Sequence, residues 1–223
     1  MQQNTDRHIT TADKAVMLAD NLLKTLLGGY QVTSRENPAI LKSSLGSVEA
    51  EPLTPKQQKH AAGLMRINHC GEVCAQALYQ GQALTAKLPE VRVKMEQAAA
   101  EENDHLDWCA NRLKQLDSQP SLFNPFWYLG SFSIGAVAGA VGDKWSLGFV
   151  AETEYQVVRH LDSHLQKLPE IDVKSRAILT QMREDELQHA TAALDAGGAE
   201  LPEVVKSLMG VMSKVMTSSV YYI

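Results

Sequence analysis

The chain reads as an all-α protein: a four-helix bundle with an extra helix at each end and one apolar segment inserted in the middle. Three observations lead there. Apolar residues recur at helical spacing in successive stretches, and no alternating strand pattern competes. The breaks between stretches carry helix punctuation, at Gly28-Gly29, Thr54-Pro55, Pro89, Pro169 and Gly197-Gly198. A Glu-x-x-His pattern also occurs twice, as Glu102-Asn103-Asp104-His105 and as Glu186-Leu187-Gln188-His189, in corresponding halves of the bundle.

Taken in order, Ala15 to Leu27 should form a short N-terminal helix that the glycine pair stops. Residues 30–53 carry Pro38, Gly46 and Pro52 among polar residues and read as a connection, so 1–54 is an N-terminal helix and linker and 55–223 the bundle. Thr54 as cap and Pro55 at the first helical position start a helix that can run to about Leu88. Pro89 opens the next, to about Leu116. The third bundle helix should begin at Asp143 or Lys144 and end before Pro169, and the fourth should span Glu170 to Ala196. A last amphipathic helix follows Pro202.

With 223 residues, 44% of them hydrophobic, the chain can bury one sizeable core and needs no second domain. A net charge of −5 with scattered Lys and Arg excludes the footprint of a nucleic-acid binder. Cys70, Cys74 and Cys109 are odd in number and lie in helical patterns, which fits a reducing cytoplasm and small buried thiols rather than a disulfide framework. The N-terminal residues lack the apolar core of a signal peptide, so the active part is expected on the cytoplasmic side.

The Glu-x-x-His pairs carry the chemistry. Residues i and i+3 of a helix share a face, so each motif aims one carboxylate and one imidazole at a common spot. Glu72 precedes the first pair by about one antiparallel hairpin; in the second half Glu152 and Glu154 compete for the equivalent place. Glu154 is flanked at helical spacing by Leu147, Val150, Ala151, Val157, Val158 and Leu161, an apolar stripe, whereas Glu152 neighbours Gln156 and Arg159. Glu154 is therefore the expected ligand. Together, Glu72, Glu102, His105, Glu154, Glu186 and His189 match the ferritin-like dinuclear carboxylate arrangement. Four interior carboxylates would be prohibitive without cations, and two divalent ions match their charge. Oxygen donors mixed with imidazole suit Fe or Mn better than structural zinc.

Metal-bound histidines generally donate their other ring N–H to an acceptor, and Asp185 and Glu101, each just before a motif glutamate, are placed to accept it across the bundle. His69, three residues before Glu72, reads as a satisfied core histidine rather than an outer partner of the metals, and His160 poses the same choice. His8, His60 and His164 read as surface residues, and Tyr79 and Tyr155 could border the site.

The segment 122–142, LFNPFWYLGSFSIGAVAGAVG, has no charge and nearly the length of a membrane span. Pro125, Asn124 and its glycines interrupt it, and it lies between His105 and Glu154, which must reach the same centre; both facts argue against a crossing. It is expected to pack on the bundle as the edge of a helical hairpin, exposing Phe123, Phe126, Trp127 and Phe132 to lipid or to a greasy substrate. A buried segment with close glycine packing is the alternative. The C-terminal stretch SLMGVMSKVMTSSVYYI would extend this membrane-facing surface.

LMRINHCGEVCAQALYQGQ around Glu72, AAAEENDHLDW around Glu102 and His105, FVAETEYQVVRHL around Glu154 and REDELQHA around Glu186 and His189 carry a further signal. In these runs and their flanks, roughly 55–220, the chain resembles the demethoxyubiquinone hydroxylase family of ubiquinone biosynthesis. The resemblance implies a peripheral membrane protein on the cytoplasmic side of the cell membrane. It implies a ferritin-like di-iron monooxygenase that uses O₂ and a reductant to hydroxylate the ring of a polyprenyl benzoquinol. The cofactor would be two Fe ions, held by the same six residues, with Glu102 and Glu186 bridging and Glu72 and Glu154 terminal. The implied partners are the membrane surface, the polyprenyl quinol, an electron donor and other ubiquinone-biosynthesis proteins in a complex. In the third motif the family usually shows a single glutamate, whereas here Glu152 precedes Glu154. Two rivals stand beside this reading: an iron-handling module with the same bundle and no organic substrate, and a purely structural helical protein.

Overall fold

A computed structural model of the chain describes residues 10–29, 32, 35–40 and 52–223. The described residues hold seven long helices and no strand. They are α1 (Thr11–Leu27), α2 (Pro55–Thr85), α3 (Pro89–Gln115), α4 (Asn124–Val141), α5 (Asp143–Lys167), α6 (Val173–Asp195) and α7 (Glu203–Val220).

Local chemistry sets these boundaries. The Thr10 hydroxyl accepts from the Asp13 N–H while the Asp13 carboxylate accepts from the Thr10 N–H, a capping box that starts α1 one turn before the apolar period becomes visible. Thr54 and Gln57 form the same box ahead of Pro55 on α2. Asp172 caps α6 by accepting from Ser175 N–H at 3.0 Å, so that helix begins at Val173 and not at Glu170. The Asp172 carboxylate also binds buried Arg112 of α3 at 2.8 Å, and the ion pair fixes the bundle's end.

Helices α2, α3, α5 and α6 form the bundle as two hairpins, α2 with α3 and α5 with α6. One apolar cluster, with Met65, Trp108, Leu113, Leu161, Ile178 and Met182, fills one end of the interior. A second, with Tyr79, Met95, Leu147, Val150 and Ala193, fills the other. The four carboxylates and His105 lie between them, which is why the polar centre is dry. The connection before α2 is described only in part. Ala39 within it is buried in the first cluster, and His8 and most of 41–53 lie outside the described residues.

The apolar segment is one continuous helix, α4, and not the edge of a hairpin. It lies along α2 at glycine distance: a Cβ on Gly135 would land on the Leu78 carbonyl, and one on Gly139 would sit 2.9 Å from the Gln82 carbonyl oxygen. Gly81 of α2 answers from the other side, where a Cβ would come within 2.8 Å of Ala136 N. Backbones approach this closely only where side chains are missing. The contact turns one face of α4 inward, so Trp127 is 9% exposed and packs on Ile67, Cys70 and Val220, while Phe126 next to it is 70% exposed. Phe123 is exposed and Phe132 half-buried, packed against Tyr128. Outward exposure therefore holds for Phe123 and Phe126 but not for Trp127. Among the described residues no helix is long and apolar enough to cross a membrane.

α7 returns across the bundle and is anchored at its end. The Tyr221 ring fills the space above Gly63, its hydroxyl lies 2.6 Å from His60 Nδ1, and its carbonyl accepts from Arg66 at 2.6 Å. His60 is thus a tie between α2, the end of α5 and the C-terminus, not a surface residue.

Gly135→Ala should lower unfolding free energy by about 1–3 kcal/mol through overpacking, as read by chemical denaturation. Gly130→Ala on the same helix meets nothing within 4 Å. It should be neutral or stabilising by up to about 1 kcal/mol. Equal stability of the two variants would show that α2 and α4 are not packed backbone to backbone.

Candidate metal centre

Each bundle helix delivers its polar residue to one level of the core. Glu72 comes from α2, Glu102 and His105 from α3, Glu154 from α5, and Glu186 and His189 from α6. The carboxylates of Glu72, Glu102, Glu154 and Glu186 and the ring of His105 are almost wholly buried; His189 is half-buried. Ligand atoms of Glu72, Glu102, His105 and Glu186 all lie within 4.8 Å of one another, a cluster that could hold a metal ion.

The carboxylates are distributed evenly between the histidines. Glu102 sets Oε2 2.9 Å from His105 Nδ1 and Oε1 3.2 Å from His189 Nδ1. Glu186 sets Oε1 3.1 Å from His105 Nδ1 and Oε2 3.1 Å from His189 Nδ1. Each therefore spans both histidines with one oxygen apiece. Glu72 approaches only His105, at 3.6 Å. Glu154 accepts a hydrogen bond from Tyr79 and lies in the field of Glu186, Glu102 and His189. The result is two half-sites, Glu72 with His105 and Glu154 with His189, joined by two spanning carboxylates.

Glu152, by contrast, stays out of the cluster, where Gln156 and Arg159 each donate to it at 2.9 Å. The apolar stripe about Glu154 turns that side chain inward as helical spacing requires. Tyr79 borders the centre; Tyr155 is half-buried on α5.

The outer ring nitrogens cross between the motifs. His105 Nε2 lies 2.9 Å from Asp185 Oδ2, and His189 Nε2 lies 2.7 Å from Glu101 Oε2. Each motif is thus steadied by the acid that precedes the other motif's glutamate, leaving both Nδ1 atoms to face the centre. A residue the sequence reading passed over joins this layer. Arg35, before the bundle, donates to Asp185, lies 3.9 Å from Asp104 and stacks 5.0 Å from the Trp108 ring. No motif marks Arg35; only its position against Asp185 reveals it.

Without metal, protons supply the missing positive charge. Burial works against a charged His105, but Glu102, Glu186 and Asp185 outweigh it and raise its pKa far above the usual value. Burial likewise opposes His189, and its bonds to Glu102 and Glu186 push it up to about 12. Burial and the neighbouring carboxylates raise Glu72 and Glu154. Even so, Glu154 Oε2 is buried with no hydrogen-bond partner, and Glu102 Oε1 and Glu186 Oε1 have only a histidine Nδ1 within ion-pair distance and no well-formed hydrogen bond. Native interiors rarely leave buried oxygens so poorly satisfied, and a cation is what their chemistry fits. His69 stands apart, buried with Nδ1 3.4 Å from the Asn124 amide, its pKa lowered by burial to about 4, as a core histidine.

An all-helical bundle whose hairpins bring two Glu-x-x-His motifs and two further glutamates to one buried point has the arrangement that dinuclear carboxylate proteins use, around a cluster that could hold a metal ion. The family model described as "Ubiquinone biosynthesis protein COQ7" matches residues 59–219, and the chain belongs to that family. It is 56% identical to the 3-demethoxyubiquinol 3-hydroxylase of Acinetobacter baylyi, covering 97% of this chain and 100% of that one. It is 58% identical to the enzyme of the same name from Stutzerimonas stutzeri, covering 97% of this chain and 98% of that one. With the enzyme of that name from Alcanivorax borkumensis identity is 53%, covering 98% of this chain and 100% of the other.

Ferrous ion must displace the Nδ1 protons and the protons that Glu72 and Glu154 hold in its absence, so anaerobic titration at neutral pH in weak buffer should release at least about one proton per histidine, read with an indicator dye. His189 has its folded pKa raised to about 12, so its contribution to metal-free stability is full below the unfolded value and fades as pH climbs towards that number. Iron affinity should accordingly fall as pH is lowered. Asp185→Asn should weaken metal binding by about 10–100-fold, and Arg35→Ala should shift it less in the same direction. Metal affinity untouched by Asp185→Asn would mean that this acid does not orient His105.

Proposed function

We infer that this chain is a 3-demethoxyubiquinol 3-hydroxylase, a di-iron monooxygenase that adds one hydroxyl to the ring of a polyprenyl benzoquinol with O₂ and a reductant. Its relatives bear that name along nearly their whole length. The observation that carries the reading is a cavity of about 400 Å³ lined by α2, α4, α5 and α7 and open on one side. Glu72 stands on its wall beside the candidate metal centre. Phe126 and Ile134 of α4 and Leu208 and Met212 of α7 line it as well while lying open to the outside, so they form its rim. A soluble iron store has no use for a greasy passage to its metals; an enzyme acting on a prenylated ring needs one.

Glu72, Glu102, His105, Glu154, Glu186 and His189 would hold two irons, Glu102 and Glu186 being the carboxylates that reach both histidines. Bound there, the irons would supply O₂ activation, with one oxygen entering an aromatic C–H bond and the other leaving as water. The rest falls to the protein. Tyr79 holds Glu154 by a hydrogen bond, and Asp185 and Glu101 hold the two imidazoles. The apolar clusters on either side of the centre exclude bulk water. The cavity would admit the ring to the Glu72 side and leave the isoprenoid tail among Phe126, Ile134, Leu208 and Met212.

The same rim supports peripheral attachment to the cytoplasmic face of the membrane. Outside it, Leu129, Val137 and Val141 of α4 and Val204, Val211 and Val215 of α7 are exposed too, apolar side chains of the kind that a lipid surface would cover. The electron donor would meet the protein elsewhere, and other ubiquinone-biosynthesis proteins would present or collect the prenylated ring.

The deciding experiment supplies iron, a short-tailed demethoxy-quinol and reductant under ¹⁸O₂, with the product weighed by mass spectrometry. One labelled oxygen in the ring is expected; iron oxidation without labelled product would favour iron handling. For attachment, wild-type protein should float with liposomes and a Phe126→Asp, Leu208→Asp double variant should stay in the soluble fraction. Equal flotation would remove α4 and α7 as the membrane face.

A further inference from the structure

Asn68 lies on α2 one helical turn before Glu72 and lines the same cavity. Its Oδ1 accepts from His164 Nδ1 at 2.8 Å. His164 is not the surface residue its sequence context implies, for it is only 4% exposed. Burial first, then the charges of His160, Lys167 and His60, hold its pKa down to about 3, so it is neutral and gives its Nδ1 proton to Asn68. The acceptor end of the amide is thereby committed. The donor end is not: Asn68 Nδ2 is buried with no hydrogen-bond partner. Leaving a buried amide N–H unmet costs about 1–3 kcal/mol, and here it is met by nothing the chain provides.

Trp127 Nε1 is in the same condition, buried and without partner, and Trp127 also lines the cavity. Most of the wall is apolar, with Ile67, Leu78, Val157 and Met209 among its residues, and no Lys or Arg belongs to it. Two residues of an apolar wall without a cation each carry an uncommitted donor, a pairing that fits a neutral flat ring bearing acceptor oxygens and fits neither a hydrocarbon nor an anion.

We propose that Asn68 is a substrate-binding residue whose Nδ2 hydrogen-bonds an oxygen substituent of the quinol ring, with His164 as the positioning residue that orients the amide. This rests on the quinol reading above. The bond sets the ring one turn of α2 from Glu72, so it governs which ring carbon faces the metals as well as how tightly the ring is held.

The test uses the full chain loaded with ferrous iron under anaerobic conditions. Calorimetric titration compares a short-prenyl demethoxy-quinone with an oxygen-free arene carrying the same tail. Wild type should prefer the quinone, and Asn68→Leu should cut that preference by about 5–10-fold, the worth of one such hydrogen bond, with arene affinity unchanged. A merely structural defect would weaken both ligands together. His164→Phe should reduce the preference in part, and in both variants less product should form per O₂ consumed. If Asn68→Leu does not fold, Asn68→Asp carries the same test, since it keeps an acceptor for His164 and removes the donor. A preference unchanged by loss of the donor overturns the proposal, as does a wild type that binds both ligands alike. A wild type that gives no labelled product with ¹⁸O₂ overturns the functional reading instead.

Discussion

Four carboxylates buried at one point of a helical core are the constraint on which the rest of this structure depends. Removed from water, like charges this close force one another to be neutral or to find cations. The surrounding arrangement meets that need. His105 and His189 are charged where the site is metal-free, and each is held by an acid from the opposite motif. The same geometry suits metal, because Nδ1 of each ring faces the glutamates while Nε2 is occupied outside. Protons and cations compete for one set of atoms, so loading and folding are coupled.

Around that centre the molecule divides its labour between polar and apolar walls. The apolar clusters above and below keep water from the carboxylates, and the α2–α4 contact, possible only because Gly81, Gly135 and Gly139 lack side chains, brings an uncharged helix beside the Glu72 half-site. α7, tied down through Tyr221, closes the remaining side. A passage from an apolar rim to a buried metal centre follows from these packings. The identity of neither α4 nor α7 as a passage wall is stated by its own residues, since each would serve equally as a core helix.

The outer layer draws on parts of the chain far from the motifs. Arg35 reaches Asp185 from before the bundle begins, so the N-terminal region contributes an ion pair to the layer around the candidate centre. Asn68 and His164 form another such layer beside the cavity, linking α2 to α5 through one hydrogen bond. In both cases a single polar residue, unremarkable in its sequence surroundings, matters because of what a distant helix puts beside it.

What the sequence by itself determined was the periodic and the punctuated. The all-helical class, most helix boundaries to within a few residues, the six candidate ligands and the inward turn of Glu154 all follow from spacing within single helices, and spacing within a helix is local geometry. The flanks of the motifs were also enough to point to the family. Tertiary structure alone decided what depends on two helices meeting. It made the apolar segment one helix with Trp127 turned inward, moved His164 to the interior and drew His60 into a half-buried tie with Tyr221, recruited Arg35 to Asp185, and left the Asn68 amide half-satisfied beside a cavity. No periodicity in a chain records these, because the partner of each residue is set by how whole helices pack and not by its neighbours in sequence.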